Sequence, residues 1–281
     1  MSKEQLVLGL DPAKKYIPDC YINDNKVDLI SWGMDIIKVC EPYCVGVKLQ
    51  SAYFENYGLY GLECLSKLIT HIKEIGLYVI MDAKRGDIGS TSSAYASAYL
   101  ATKNEGENSD FESDYLTVNP LMGEDCLDPF IEAAVNYNKG LFVLLETSNS
   151  GAEMLLKQRL FNNKKVNEKI ADYINLKNDQ FKGGSDFGPV GCVIGATNPN
   201  GKFWREKLPN TIFLMPGMGA QGGDWSNIKA CMTKDGNGVW IPISRGITMP
   251  DKNGISQDEF LNLVSKKVVN ISKEMKLYLN N

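Results

Sequence analysis

The pattern of apolar and polar positions divides the chain into short hydrophobic runs separated by longer amphipathic stretches. Apolar runs of four to six residues occupy 6–10, 44–47, 77–81, 115–118, 141–145, 190–194, 212–215 and 239–244. Bounded by turn residues, each predicts a buried strand. Helical spacing fills the intervals at 27–40, 58–75, 90–102, 126–137, 224–232 and 256–279, with a short helix ending at 207. Gly76 closes the second of these as a C-terminal stop. A charged, amide-rich stretch over 151–185 interrupts the rhythm, with helical spacing at 166–176. It predicts an excursion after the fifth strand rather than a separate domain. Eight strand–helix units in strict alternation predict an α/β fold, a (β/α)8 TIM barrel built as a single domain over 1–281.

In such a barrel the carboxyl ends of the strands form the active face. The polar residues there are Asp11, Lys48, Asp82, Lys84, Ser148, Gln221 and Arg245, set against strand interiors that are almost entirely apolar. The third run ends in Asp82-Ala83-Lys84-Arg85-Gly86-Asp87, a D-x-K-x-x-D spacing. Strand alternation puts Asp82 and Lys84 on one face, roughly 6–7 Å apart. Three charges at the end of a buried strand are costly unless they pair or do chemistry. Gly86 and Gly89 then turn the chain into a helix of small residues.

Composition narrows that chemistry. His71 is the single histidine and lies on the helix at 58–75. Histidine-based nucleophilic catalysis and multi-histidine zinc sites are therefore set aside, and acid–base work falls to Lys, Asp and Glu. Seven cysteines without a C-x-x-C read as reduced, buried thiols. Lys48 and Lys84 neutralise the carboxylates and would repel a divalent cation, so no metal is expected. The glycine-rich loop at 216–223 precedes a helix, and Arg245 follows the last strand. Together they form a candidate phosphate anchor where this fold commonly has one. A net charge of −4 argues against nucleic acid or an anionic membrane as partner. No apolar run approaches bilayer-spanning length and the first residues lack an apolar h-region, so a soluble, cytoplasmic protein is expected.

Taken in order, Gly9-Leu10-Asp11-Pro12, Val47-Lys48, the run from Asp82 to Thr91, Thr147-Ser148-Asn149, Pro216-Gly217-Met218-Gly219-Ala220-Gln221-Gly222 and Ser244-Arg245-Gly246 span the chain. In these motifs the chain resembles the orotidine 5'-phosphate decarboxylases, in the longer of their two broad subfamilies. The resemblance implies decarboxylation of orotidine 5'-monophosphate to UMP, the last step of de novo pyrimidine nucleotide synthesis, without metal or organic cofactor. It implies that Asp11 and Lys48 contact the ribose, and that Lys48, Asp82, Lys84 and Asp87 form an alternating charge network with Lys84 as proton donor. Ser148 would touch the pyrimidine, and Gln221 and Arg245 the phosphate. Residues matching Asp87, Ile88 and Thr91 reach into a neighbouring subunit's site in the family, which implies a homodimer with shared active sites. Gln50 stands where many relatives carry Asn or another small polar residue, and it is left outside the site.

Two other readings compete. A metal-dependent sugar-phosphate decarboxylase or aldolase shares D-x-K-x-x-D but places an acidic ligand where Lys48 stands. A catalytically silent nucleotide-binding barrel would not need the intact set Lys48, Asp82, Lys84 and Asp87.

Overall fold

A computed structural model describes residues 5–102, 109–218, 222–251 and 253–279. After β1 (Leu6–Leu10) comes a small antiparallel hairpin, β2 (Ile22–Asn23) and β3 (Lys26–Val27), then α1 (Leu29–Cys40) and β4 (Gly46–Gln50). Next are α2 (Ser51–Glu55), α3 (Gly58–Glu74), β5 (Tyr78–Arg85), α4 (Gly89–Leu100) and β6 (Tyr115–Val118). They are followed by α5 (Asp128–Asn136), β7 (Gly140–Glu146), α6 (Ala152–Leu155), α7 (Val166–Phe181) and β8 (Val190–Ile194). The remaining elements are α8 (Gly201–Lys207), β9 (Phe213–Leu214), α9 (Trp225–Ala230), β10 (Val239–Ile243), α10 (Arg245–Thr248) and α11 (Gln257–Leu279).

The strands join as a closed barrel in the order β1-β10-β9-β8-β7-β6-β5-β4, with β2 and β3 as a separate two-stranded sheet. Its strand pairs are parallel, as in β1 with β4 and β7 with β8, so the expected (β/α)8 architecture is present. Parallel strands covered by helices are buried on both faces, which is why each reads as a continuous apolar run. Two departures from the sequence reading have physical causes. The hairpin strands are two residues each, too short for periodicity to register. β5 continues past its apolar run through Asp82, Lys84 and Arg85, because pairing outlasts hydrophobicity at the functional end. The excursion holds the helix expected at 166–176 as α7, preceded by the short α6, with Arg159 bridged to Lys165 between them.

The chain divides into two compact units, Met1–Asp82 with Pro242–Asn281, and Ala83–Ile241. In the first, α1 packs against α3 and α11, and Trp32, Ile36, Leu68, Phe260 and Val264 are buried. Asp28 caps α1 by accepting from the Ser31 N–H at 3.0 Å, satisfying one of the helix's unpaired first-turn donors.

In the second unit, aromatic rings pack at strand beginnings. Tyr115 stacks on Phe142 with centroids 5.1 Å apart, and Trp240 meets the Tyr115 ring edge-on at 4.8 Å. Nearby, Arg205 is a buried cation solvated by main chain. Its Nε donates to Cys231 O, its Nη1 to Leu208 O, Pro209 O and Thr211 O, and its Nη2 to Gly238 O, at 2.8–3.3 Å. Its guanidinium also lies 3.9 Å from the Phe213 ring centroid. Burial pulls its pKa below the usual arginine value. The excursion is pinned to the barrel by Glu146, the last residue of β7, which accepts from Asn167 Nδ2 at 2.5 Å. Between the excursion and the segments after β6 and β7 lies an apolar cavity of about 470 Å³, walled by Leu121, Leu127, Leu144, Leu155, Leu156 and Ile170.

All seven cysteines are free thiols; Cys20 is exposed and the other six are buried. No helix among the described residues is long and apolar enough to cross a membrane.

Candidate active site

Strand register builds the first part of the site. In the β1–β4 pair Gly9 aligns with Lys48, and in the β4–β5 pair Gln50 aligns with Asp82. Two-residue alternation then places Lys48, Gln50 and Asp82 on one face. Asp11, just beyond β1, follows Gly9 by two positions and shares its parity. The side chains meet as that pattern requires. Lys48 Nζ lies 3.0 Å from Asp82 Oδ2 and 3.6 Å from Asp11 Oδ1. Gln50 Nε2 donates to the same Asp82 oxygen at 2.9 Å. Gln50 therefore belongs to the network, against the expectation that left it out. The signal was its spacing of two from Lys48, which puts any polar residue there on the functional face.

Lys48 is 5% exposed and Asp82 8%, so these charges interact with little screening by water. Burial alone would lower the Lys48 pKa. The Asp11 and Asp82 carboxylates outweigh it and hold the ammonium above the usual lysine range. Lys48 is thus a fixed positive charge at neutral pH. Asp11 Oδ1 is buried without a hydrogen-bond donor among the described residues. A buried acceptor in that state is costly until a ligand hydroxyl supplies the bond.

Arg245 opens α10, directly after Ser244, in the same unit as this trio. The loop at 216–223 has its own geometry, with positive φ at Gly217 and Gly222. Gln221, expected at the phosphate, lies outside the described residues. The helix after the loop differs from the sequence expectation. α9 is a short element whose first turn is capped by Asp224, which accepts from the Ser226 N–H at 2.9 Å. That helix end already has its own carboxylate, so an anion contact from this side falls to the loop itself.

Lys84 has a different local setting. It is exposed, and φ at this residue is +50°, a left-handed conformation in a non-glycine residue. The backbone there departs from extended geometry, so the alternation that placed Asp82 and Lys84 on one face does not carry over unchanged. Such a residue costs on the order of 1–3 kcal/mol and persists where the surroundings enforce it. Here the Lys84 N–H donates to Thr117 Oγ1 on β6 at 2.9 Å. Arg85 Nη2 donates to the Tyr99 hydroxyl at 2.9 Å, tying the strand end to α4. Gly86 passes so close to β6 that a Cβ would fall 2.8 Å from Asn119 O. Thr117 is buried, and sequence reading missed it because a threonine inside an apolar run looks like an ordinary strand residue.

Beyond that turn the Asp87 carboxylate accepts from the Ile88 N–H at 2.8 Å, and Ser92 Oγ donates to Asp87 O. Ile88 is 58% exposed and Thr91 is exposed on the first turn of α4. Leu121 and Met122, after β6 in the same unit, are also exposed apolar residues. Ser148 lies exposed after β7, near Gly195, whose Cβ would fall 3.1 Å from the Ser148 Cβ. Asp11, Lys48 and Asp82 thus meet directly. Lys84, Asp87, Ile88, Thr91 and Ser148 belong to the other compact unit.

Comparison with known proteins gives a consistent result. Residues 4–254 match the family model described as orotidine 5'-phosphate decarboxylase / HUMPS family. The chain is 36% identical to the orotidine 5'-phosphate decarboxylase of Rhodopirellula baltica, over 87% of this chain and 83% of that one. It is 37% identical to the enzyme of the same name from Caldicellulosiruptor bescii, over 90% and 87% of the two chains. Among solved structures it resembles the OMP decarboxylase of Leishmania donovani, with a TM-score of 0.76 at 25% identity over 99% and 95% of the two chains.

Proposed function

The chain belongs to the orotidine 5'-phosphate decarboxylase / HUMPS family, and from that premise we propose that it converts orotidine 5'-monophosphate to UMP in pyrimidine nucleotide synthesis. The observation that carries this reading is Lys48, buried between Asp11 and Asp82. The competing sugar-phosphate reading needs an acidic metal ligand at the end of this strand. A lysine ammonium 3.0 Å from Asp82 stands there instead.

In the proposed reaction the bond between C6 and the carboxylate breaks, CO2 leaves, and the electron pair stays on C6. Lys84 stabilises that charge as an ammonium and then passes a proton to C6, to be reprotonated by solvent. Asp82 and the Asp87 of a second copy orient it. The donorless Asp11 oxygen is suited to a ribose hydroxyl and Lys48 to a second contact there. Ser148 faces the pyrimidine, and Gln221 and Arg245 hold the phosphate, whose binding energy is used in the transition state. The exposed Ile88 and Thr91 support a homodimer in which each copy completes its neighbour's site. The whole chain acts as one catalytic domain in the cytoplasm, with no metal.

The test is UMP formation by purified protein after EDTA treatment and removal of the chelator. Full turnover is expected. Loss of UMP formation restored by Mg²⁺ would overturn the metal-free mechanism, and no UMP under any condition would leave the sugar-phosphate and silent-barrel readings.

A further inference from the structure

The strand end that precedes Ser148 is irregular. In the β7–β8 ladder Leu144 aligns with Val193 but Glu146 aligns with Ile194, so Leu145 is an extra residue. Slips of this kind re-aim side chains beside active sites. Glu146 ends β7 as a carboxylate whose side chain is only 11% exposed, and the proposed chemistry gives it no part. Its main chain is fixed to the barrel, with the Gly195 N–H donating to Glu146 O at 2.8 Å. Its side chain is held by the excursion instead. Asn167 Nδ2 donates to Oε2 at 2.5 Å, and Lys157 Nζ lies 3.9 Å from Oε1. Burial pushes the Glu146 carboxyl above the usual glutamate range, against the pull of Lys157 and then Asn167, so this charge depends on its excursion partners rather than on water.

Asn167 is 2% exposed in the first turn of α7, and its own N–H donates to Leu156 O at 3.0 Å, so the amide that meets Glu146 is itself anchored. Between Glu146 and α6 runs the short segment 147–151. Thr147 Oγ1 donates to Asn149 Oδ1 at 2.7 Å, and the Ala152 N–H donates to Asn149 O at 3.0 Å. Ser148 thus sits in a span of chain tied at both ends. Apolar packing does little of this fixing. The cavity of about 470 Å³ borders the same span, with Thr147 and Asn149 on its wall together with Leu155 and Leu156. Side chains that face a void lose contacts on that side, so placement there falls to the polar ties.

We propose that Glu146 and Asn167 are positioning residues for Ser148: their clamp sets where the segment leaving β7 stands, and so where Ser148 meets the pyrimidine. The inference rests on the reading that Ser148 faces the pyrimidine. Gly195 supplies the other side of the placement. A Cβ there would fall 3.1 Å from the Ser148 Cβ, so the serine lies close against the end of β8. A hydrogen bond weakens steeply as its geometry is lost, and opening the clamp releases the segment that provides it. The excursion, which adds no strand to the barrel, then has a task of its own. It holds one substrate contact in place from outside.

The experiment exchanges the two clamp residues isosterically. Asn167→Asp sets a second carboxylate against Glu146 and opens the clamp; adding Glu146→Gln restores the bond with donor and acceptor reversed. The readouts are kcat/KM for orotidine 5'-monophosphate and the inhibition constants of UMP and of ribose 5-phosphate, which lacks the pyrimidine. Asn167→Asp should lower kcat/KM and weaken UMP by about tenfold each, the size expected for one hydrogen bond, and leave ribose 5-phosphate unchanged. The double exchange should recover most of the loss. In a Ser148→Ala background Asn167→Asp should have no further effect, because the residue it positions is gone. Asn167→Ala, which removes the donor without adding a charge, decides the matter if Asn167→Asp does not fold. Wild-type values in Asn167→Asp with an impaired Ser148→Ala would overturn the inference and spare the reading it rests on. Equal weakening of UMP and ribose 5-phosphate, a full further loss in the Ser148→Ala background, or no recovery in the double exchange would make the clamp structural only and also overturn it. Wild-type values in Ser148→Ala would remove the reading itself, and the inference with it.

Discussion

Lys48 and Arg205 are both buried cations, and the protein accommodates them in opposite ways. Arg205 is met by five backbone carbonyls and the Phe213 ring, with no carboxylate among the described residues facing it. Lys48 is met by two carboxylates, one of which keeps an oxygen without a donor. Carbonyl dipoles satisfy a charge locally and finish the job. Carboxylates bring charge of their own, so the group around Lys48 is not fully satisfied until something else arrives. Arg205 reaches the segments that precede β9 and β10, at strand beginnings, where this fold invests in stability. Lys48 is near a strand end, where it invests in chemistry.

The comparison is tested most strongly at Lys48. Lys48→Ala should lower kcat/KM by at least about a thousandfold, on the order of 4 kcal/mol, because it leaves buried carboxylates without their cation. The variant should also acquire a pH dependence. Asp11 and Asp82 without a cation between them raise a carboxyl pKa in the folded state, so that state binds more protons than the unfolded one and gains stability as pH falls. Its urea midpoint should therefore rise from pH 7 to pH 5. Wild-type Lys48 adds no such slope there. With a raised pKa, its contribution is complete below the ordinary lysine value and is lost only as alkaline pH rises through the folded one. A midpoint flat with pH in Lys48→Ala would mean that the carboxylates are not coupled.

Arg205→Met should act in the other currency. Five carbonyls lose their donors, and a stability loss of about 3–5 kcal/mol is expected in urea unfolding. Protein that remains folded should turn over substrate at the wild-type kcat. A fall in kcat with an unchanged midpoint would dissolve the division of labour between the two cations.

Gln50→Leu is the mildest and sharpest test. It removes one donor to Asp82 without touching a charge, and kcat/KM should fall about tenfold, as for one hydrogen bond to an ionised group. The urea midpoint should shift less than in Arg205→Met. Wild-type kinetics would return Gln50 to the periphery.

Much of the fold was legible because continuous apolar runs are what a strand buried on both faces requires; Leu6–Leu10, Tyr115–Val118 and Val190–Ile194 appear where those runs lie. Lys48 and Asp82 were legible because charge at the end of such a run is expensive and so conspicuous. Other features leave no comparable mark. The φ of +50° at Lys84 is imposed by the turn at Gly86 and by Thr117, not by a residue type that favours it. Gln50 is an ordinary amide until register pairs it with Asp82. Arg205 sits in a helix among other charged residues, and nothing in its neighbours announces that its partners are backbone carbonyls, two of them as distant as Cys231 and Gly238. The excursion was visible as a break in rhythm, but its attachment through Glu146 and Asn167 depends on two residues whose pairing has no local pattern.

The sorting of the cysteines makes the protein its own clock. Six thiols are sealed in the interior, and burial pushes those of Cys40, Cys64, Cys192 and Cys231 above the usual range, so they are both hidden and protonated. Cys20 alone is exposed, and it too is held somewhat above its ordinary value, chiefly by partial burial. A thiol-specific dye added to the native protein at mildly alkaline pH therefore attaches at one place, Cys20. Each further equivalent taken up counts an opening of the core, and the rate at which the labelling climbs from one to seven measures how often the barrel comes apart.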